Sequence, residues 1–215
     1  MTAVLPLVPF PPLHWWFLAT HCHGGKFAYG PPTKFVKQTL RNRMIISGPS
    51  GQIHLSFPIQ KQSENKELPP LLSAHFRPVH SFRTLQSAYG GAPFFEHFEE
   101  DLRALWQAYL PGANENPKPL YAFNQATIDW VAQQCNWDLK PSSQTPPAFA
   151  HSPIDLRCKS ALAGAGWEFE RYTQLFEAKN GFIAGCSILD ALMTLGPNAV
   201  RQQIQFLTQR ASNSK

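Results

Sequence analysis

The chain has 215 residues, enough to bury one substantial hydrophobic core, and we predict a single compact domain over residues 1–215. Hydrophobic residues make up 43% of the chain, which excludes an intrinsically disordered protein. The formal net charge of +5 is too small to indicate nucleic-acid binding without a recognition motif, so we do not expect nucleic acid as a partner. No run approaches the roughly 18 uninterrupted apolar residues of a membrane-spanning helix. The composition gives no indication of oligomeric state.

The N-terminal stretch is apolar, but prolines interrupt it and it has no basic leader, so we expect no signal peptide and a cytoplasmic protein. Residues 13–20 are predicted to form a short helix, and the aromatic run at residues 15–17 is typical of a core or a pocket wall. A His-Cys-His run at residues 21–23 lacks the two further ligands of a zinc site, so we predict no metal and no cofactor. The cysteines are scattered, which predicts free thiols at Cys22, Cys135, Cys158 and Cys186.

A basic segment precedes the first acidic residue, Glu64. Between residues 34 and 43 the chain carries Lys34, Lys37, Arg41 and Arg43 and no acid. Charge of one sign creates a field that attracts phosphate or carboxylate ligands. The segment is therefore predicted to bind an anion.

Short β-rich runs on either side of a Gly-Pro-Ser-Gly turn at residues 48–51 predict a hairpin of two strands. If residues 40–46 are extended, Arg41 and Arg43 lie on one face of a strand. Two guanidinium groups on one face can hold a phosphate or carboxylate in a bidentate manner. The alternative is a solvated strand edge that its charges protect from pairing.

From residue 82 onward the apolar residues recur at helical spacing. Residues 93–110 form the clearest amphipathic helix, with acids in its first turns. Further helices are predicted over residues 120–136, 172–179, 187–195 and 198–209, with Gly196-Pro197 separating the last two. The predicted fold class is α+β, with a β-rich N-terminal third of hairpin strands followed by a mostly helical remainder.

Polar residues in the helical part allow both a structural and a functional interpretation. Ser187 and Asp190 have the spacing of a capping box, in which Asp replaces the usual Glu or Gln. The alternative for Asp190 is a direct catalytic role. Tyr89 precedes two glycines, so its hydroxyl either reaches a ligand or is buried and bonded to backbone.

Four passages follow one another in a specific order and spacing. The first passage, at residues 9–18, is rich in prolines and aromatic residues. The second consists of Phe-Val-Lys-Gln-Thr-Leu-Arg-Asn-Arg at 35–43 and Leu-Ser-Phe-Pro at 55–58. Residues 85–96 contain Ser-Ala-Tyr and then Pro-Phe-Phe-Glu, and residues 172–197 contain Tyr-Thr-Gln-Leu-Phe and Ser-Ile-Leu-Asp before Gly-Pro. Together these passages resemble the bacterial WbqC-like protein family, over almost the whole chain.

The resemblance implies a bacterial cytoplasmic protein associated with surface-polysaccharide (O-antigen) synthesis. It also implies a transferase that forms an amide or similar bond on an activated sugar or acyl substrate, with a nucleotide sugar or activated acyl group as its anionic partner. His80 is predicted to take a proton from an attacking amine, with Asp190 and Tyr89 as further catalytic groups. The substrate-binding residues that match the family motifs are Lys37, Thr39, Arg41, Asn42, Arg43, Ser87 and Gln174.

The chain departs from the family pattern at two places. Ser81 and Phe82 stand where the family usually has His followed by Trp, and His80 lies one position earlier. Gly185-Cys186 stands where Asn-Leu is expected. If that histidine is the general base of the family, the replacement in this chain favours an alternative function. The alternative is a catalytically silent protein that binds a phosphorylated or carboxylated small molecule.

Overall fold

The computed structural model of the chain describes residues 3–21, 27–29, 40–60, 70–112, 115–141 and 171–213. Several predicted features lie outside these ranges: Lys34, Lys37, Thr39, the β-rich run at 35–36, Cys22, His23 and Cys158. The strands of the described part come first and most of the helices follow, which confirms the predicted α+β class.

Two pairs of short strands form the β structure of the described residues. β1 (Ala3–Leu5) pairs in parallel with β2 (Phe27–Tyr29). β3 (Arg43–Gly48) pairs in antiparallel with β4 (Gly51–Ser56), and Gly48 lies opposite Gly51 across the turn. The predicted hairpin is therefore confirmed. The β1–β2 pair was not predicted, because three-residue strands are too short to show an alternating pattern.

The predicted extended run over residues 40–46 is wrong at its start. Leu40–Asn42 form a 3₁₀ turn, and the strand begins at Arg43. Long-range hydrogen bonds hold this turn: Phe57 donates its backbone N–H to the Asn42 carbonyl at 2.8 Å, and the Asn124 side chain donates to the Arg41 carbonyl at 2.9 Å. Arg41 and Arg43 consequently do not form the predicted pair on one face of a strand.

Helices make up most of the described residues from Pro78 onward, and one described α-helix precedes the hairpin. Their bounds are α1 (Leu13–His21), α2 (Pro78–Tyr89), α3 (Phe95–Tyr109), α4 (Leu120–Gln134), α5 (Glu177–Asn180), α6 (Ile188–Leu195) and α7 (Pro197–Asn213). The predicted break between the last two helices is confirmed at Gly196, whose φ is +79°. A Cβ on Gly196 would also lie 2.6 Å from the ring of Phe94, so a side chain is excluded there on two grounds.

Two helix predictions differ from the structure. The predicted helix over 172–179 is wrong in its first half, because only Glu177–Asn180 are helical and Tyr172 and Gln174 instead bond to a buried carboxylate. Helix α2 was not predicted. Its buried face includes the polar Ser81, which weakens the apolar pattern, although Pro78 is a typical first residue of a helix.

The hydrophobic core contains the aromatic run of α1, as predicted. Trp15 and Trp16 are fully buried, and their indole N–H groups donate to the carbonyls of Pro6 and Pro11, each at 2.9 Å. Satisfied indole donors allow these large rings to be buried without a polar penalty. Cys135 and Cys186 are buried free thiols, as predicted.

In the part of the chain that the structure describes, no helix has both the length and the apolar character needed to cross a membrane. The same residues contain no cluster of three or more side chains of the types that bind metal ions.

Candidate functional site

A buried carboxylate connects four separate parts of the fold. Asp190, in the first turn of α6, has no exposed surface. Its Oδ1 atom accepts a hydrogen bond from the Tyr89 hydroxyl at 3.0 Å. Its Oδ2 atom accepts from the Tyr172 hydroxyl at 2.9 Å and from the Gln174 side-chain amide at 2.8 Å, and the backbone of Ser47 also bonds to the carboxylate. We call Tyr89, Tyr172, Gln174 and Asp190 the Asp190 cluster.

The cluster residues are held in place by their own elements. Tyr89 is the last residue of α2, and α2 contacts strand β3, which carries Ser47. The Gln174 amide pairs with the backbone of Ile183 in both directions, accepting from its N–H at 2.7 Å and donating to its carbonyl at 2.9 Å. These two hydrogen bonds to the Ile183 backbone orient the Gln174 side-chain nitrogen toward Asp190. The structure thus brings together three of the predicted site residues: Tyr89, Gln174 and Asp190.

Burial controls the ionisation of the cluster. It raises the pKa of the Asp190 carboxyl above its ordinary value, while the hydrogen bonds from Tyr172, Tyr89 and Gln174 act in the opposite direction. Burial also raises the pKa of the Tyr89 and Tyr172 hydroxyls well above the ordinary tyrosine value, and the neighbouring Asp190 adds to the effect. Both hydroxyls therefore remain protonated and able to donate at neutral pH.

The Asp190 cluster has the properties of a structural clamp. Asp190 and Tyr89 are both 0% exposed, so no substrate atom reaches them in this conformation. Each carboxylate oxygen already accepts a hydrogen bond, which is the usual condition for a buried polar group that serves the fold. The cluster fastens α2, the segment at residues 171–174 and α6 to strand β3.

The capping-box interpretation is correct for Ser187 but not for Asp190. The Ser187 hydroxyl caps α6 by accepting from the backbone N–H of Leu189 at 3.3 Å, and it donates to the Phe10 carbonyl at 2.9 Å. In a capping box Asp190 would bond back to the Ser187 N–H. That N–H instead donates to the Ile45 carbonyl at 2.7 Å, which leaves Asp190 for the tyrosines.

An open cleft of about 680 Å³ lies between α2 and α3, away from the Asp190 cluster. Its volume is within the range of small-molecule sites. Its cationic lining residues are Arg77, Arg83 and Arg103, His80 also lines it, and its apolar lining includes Phe82, Trp106 and Leu110. We call this feature the α2–α3 cleft.

The cations of the α2–α3 cleft exceed its acids. Among the described residues, the Arg77 and Arg83 side chains have no hydrogen-bond or ion-pair partner, and both residues are exposed. Glu115 is the carboxylate in the lining, and its Oε2 atom forms a 2.9 Å ion pair with Lys118. The hydrogen bond from Lys118 holds the pKa of Glu115 below its ordinary value. Within the described part of the chain, the cleft therefore presents uncompensated positive charge to a ligand.

Arg103 is fixed on the α3 side of the cleft. Its guanidinium forms a 2.7 Å ion pair with Glu99 one turn earlier and lies 4.6 Å from the centre of the Phe82 ring. Glu99 also accepts from the Gln86 side chain of α2 at 2.8 Å. This bridge between the two helices orients Arg103 beside Phe82.

The structure does not bring His80 together with Asp190. His80 is exposed in the first turn of α2, whereas Tyr89, the partner of Asp190, is at the last turn. Nine residues of α-helix correspond to a rise of about 13 Å. His80 instead lines the α2–α3 cleft with the arginines.

The predicted binding residues around position 42 are tied to the surrounding structure. The Asn42 side chain donates to the Phe57 carbonyl at 3.0 Å, and Arg43 Nε donates to the Ser56 hydroxyl at 3.1 Å. Ser87 is exposed on α2 and is not part of the cleft lining. Asn42 and Arg43 are likewise absent from the described lining of the α2–α3 cleft.

Ser81 has a structural role at the position where the resemblance to the family would place a histidine. Its hydroxyl accepts from the buried indole N–H of Trp106 at 2.9 Å and donates to the Pro78 carbonyl at 2.8 Å. Both hydrogen-bonding functions of the hydroxyl are therefore used in joining α2 to α3.

Sequence reasoning did not find Arg77, Arg83 and Arg103. Arg77 precedes an unpredicted helix, α2, Arg83 lies within it and Arg103 lies on the next helix, so their convergence depends on how α2 packs on α3. The available signal was the Pro78 helix start, which would have placed Arg77 at the cap and Arg83 one and a half turns later.

A model of the WbqC-like protein family matches residues 17–145, which include the whole α2–α3 cleft and Tyr89 but end before Asp190. No curated protein and no solved structure shows significant similarity to the chain. Since the match spans more than half of the 215 residues, the chain belongs to the WbqC-like protein family.

Proposed function

We propose that the protein binds an anionic, activated small molecule in the α2–α3 cleft and transfers part of it to an amine. The observation that supports this proposal is that Arg77, Arg83 and Arg103 line one cleft. The carboxylate in its described lining, Glu115, is already paired with Lys118. Guanidinium groups are the preferred protein partners of phosphate and carboxylate. The activated group would be a nucleotide sugar or an acyl donor, as the resemblance to polysaccharide-associated transferases implies.

His80 is the group of the cleft that is suited to proton transfer. It is exposed in the first turn of α2, on the same cleft as the arginines. In the proposed step the amine nitrogen forms a bond to the activated carbon, and the leaving group departs with the electron pair of the broken bond. His80 accepts the proton from the nitrogen, and the arginines stabilise the negative leaving group.

Binding is tested by calorimetric titration of the full chain with nucleotide sugars and acyl phosphates. We expect Arg83→Met to weaken binding about ten-fold, because it removes a bidentate partner of the anion. Lys140→Met is the matched control, since Lys140 is an exposed cation that does not line the cleft. The proposal fails if none of these anions binds, or if the two variants bind equally.

Turnover is tested by mass spectrometry of the product formed from a bound donor and glycine or another amine. We expect His80→Ala to lower kcat by about 10²- to 10⁴-fold with little change in Kd. His97→Ala is the control, because His97 is also exposed, in the first turn of α3, but does not line the cleft.

A second candidate function is a binding protein without turnover. The observation that favours it is that the Ser81 hydroxyl, at the position of the family's histidine, is already bonded to the Trp106 indole and to the Pro78 carbonyl. Anion binding that depends on Arg83, together with no product and no effect of His80→Ala, would favour this second function.

A further inference from the structure

We infer that the ligand of the α2–α3 cleft carries two anionic centres spaced along the helix, as in a diphosphate ester. This inference rests on the proposed function and specifies its substrate class. The free cations of the cleft are not gathered at one point. Arg77 and Arg83 are six residues apart, which corresponds to a rise of about 9 Å along α2.

The first cationic pole is at the N-terminal end of α2. Arg77 occupies the N-cap position, where no side chain caps the helix among the described residues, and His80 follows within the first turn. The N-terminal end of a helix carries partial positive charge from its free N–H groups. Arg77 and the helix end thus attract one anionic group together, and the His80 ring lies within reach to donate a hydrogen bond to it.

The second pole is formed by Arg83 of α2 and Arg103 of α3. Arg83 has no partner among the described residues, whereas Arg103 is held by Glu99 and by the ring of Phe82. One ion pair uses only part of the five-donor guanidinium of Arg103, so donors remain for a ligand. A second anion between Arg83 and Arg103 would neutralise this pole.

A single anion leaves one pole without compensation. If it binds at Arg77, the positive charge of Arg83 remains uncompensated. If it binds at Arg83, the charge of Arg77 remains uncompensated. A ligand with two linked anions pairs with both poles and gains from the second contact without a second loss of translational freedom.

The test compares inorganic phosphate with pyrophosphate by calorimetry on the full chain at one fixed ionic strength. We expect pyrophosphate to bind about ten-fold more tightly than phosphate. Arg77→Met and Arg83→Met should each lower pyrophosphate affinity toward that of phosphate, and by more than the control Lys140→Met. Arg77 and Arg83 are exposed and have no side-chain partner among the described residues, so thermal unfolding should be unchanged in both variants.

The outcomes separate this inference from the proposed function. The inference is overturned if phosphate and pyrophosphate bind with equal affinity, or if pyrophosphate affinity depends on only one of the two arginines. Either result would show a site for a single anion, and the proposed function would still stand. Absence of binding for phosphate, pyrophosphate, nucleotide sugars and acyl phosphates would overturn both.

Discussion

The Tyr89 hydroxyl donates to Asp190 Oδ1 at 3.0 Å and joins the end of α2 to the start of α6 across 101 positions of sequence. Both residues were predicted to be catalytic. Their complete burial and the saturation of the carboxylate support a structural role instead. The first prediction separates these two roles.

Removal of the Tyr89 hydroxyl should destabilise the fold without affecting ligand binding. We expect Tyr89→Phe to lower the free energy of unfolding by about 1–3 kcal/mol, because a buried hydrogen bond to a carboxylate is lost. Asp190→Ala should lower it further, by about 3–5 kcal/mol, because the buried donors of Tyr89, Tyr172 and Gln174 lose their acceptor. Urea denaturation followed by tryptophan fluorescence measures both.

Tyr121→Phe is the control for this prediction, since Tyr121 is 53% exposed and should tolerate the change. Unchanged stability of Tyr89→Phe combined with loss of turnover would support the catalytic role that the sequence predicted.

The stability contribution of Asp190 should depend on pH. Its folded-state pKa is raised by burial, so the folded state retains the proton at pH values where the unfolded chain has released it. The contribution is therefore fully present below the unfolded pKa of about 3.9 and is lost as the pH rises through the folded pKa. Relative to Asp190→Asn, the wild-type protein should lose stability over this window.

Parallel urea denaturation of both proteins from pH 3 to pH 8 measures this difference directly. A stability difference that stays constant with pH would show that burial does not raise the pKa of Asp190. Asp190→Asn removes the titrating group at this site and otherwise keeps the size of the side chain.

Ser81 should be required for the packing of Trp106. Ser81→Ala removes the acceptor of the buried indole N–H, and we expect a loss of about 1–3 kcal/mol in the free energy of unfolding. Thr84→Ala is a matched control on the same helix, since its hydroxyl also bonds to a backbone carbonyl but is exposed to water. Equal losses in the two variants would contradict the role assigned to the Ser81–Trp106 hydrogen bond.

Glu99 should limit the anion affinity of the α2–α3 cleft. Glu99→Gln removes the negative charge that pairs with Arg103, so we expect pyrophosphate to bind about two- to five-fold more tightly. Glu96→Gln controls for the general change of charge, because Glu96 is exposed on the same helix. A decrease in affinity would show instead that Glu99 holds Arg103 in its binding position.

The sequence alone determined those parts of the fold that depend on near neighbours. The apolar spacing around Trp106 predicted α3, the Gly-Pro-Ser-Gly turn predicted the β3–β4 hairpin, and Gly196 predicted the break before α7. The resemblance to the family also selected Tyr89, Gln174 and Asp190, which the fold brings into contact. The predictions of α3, of the hairpin and of the break at Gly196 succeeded because a helix period, a tight turn and a positive φ are set within a few residues.

Only the tertiary structure decided which of those residues meet. The side chain of Asn124, on helix α4, donates a hydrogen bond to the carbonyl of Arg41. Arg41 lies in a 3₁₀ turn, at a place where the local sequence pattern predicted a strand. Packing of α2 on α3 placed His80 beside Arg83 and Arg103 and left Asp190 in the interior. Such partners are far apart in sequence, and their proximity depends on how whole elements pack to bury apolar surface, which no local pattern encodes.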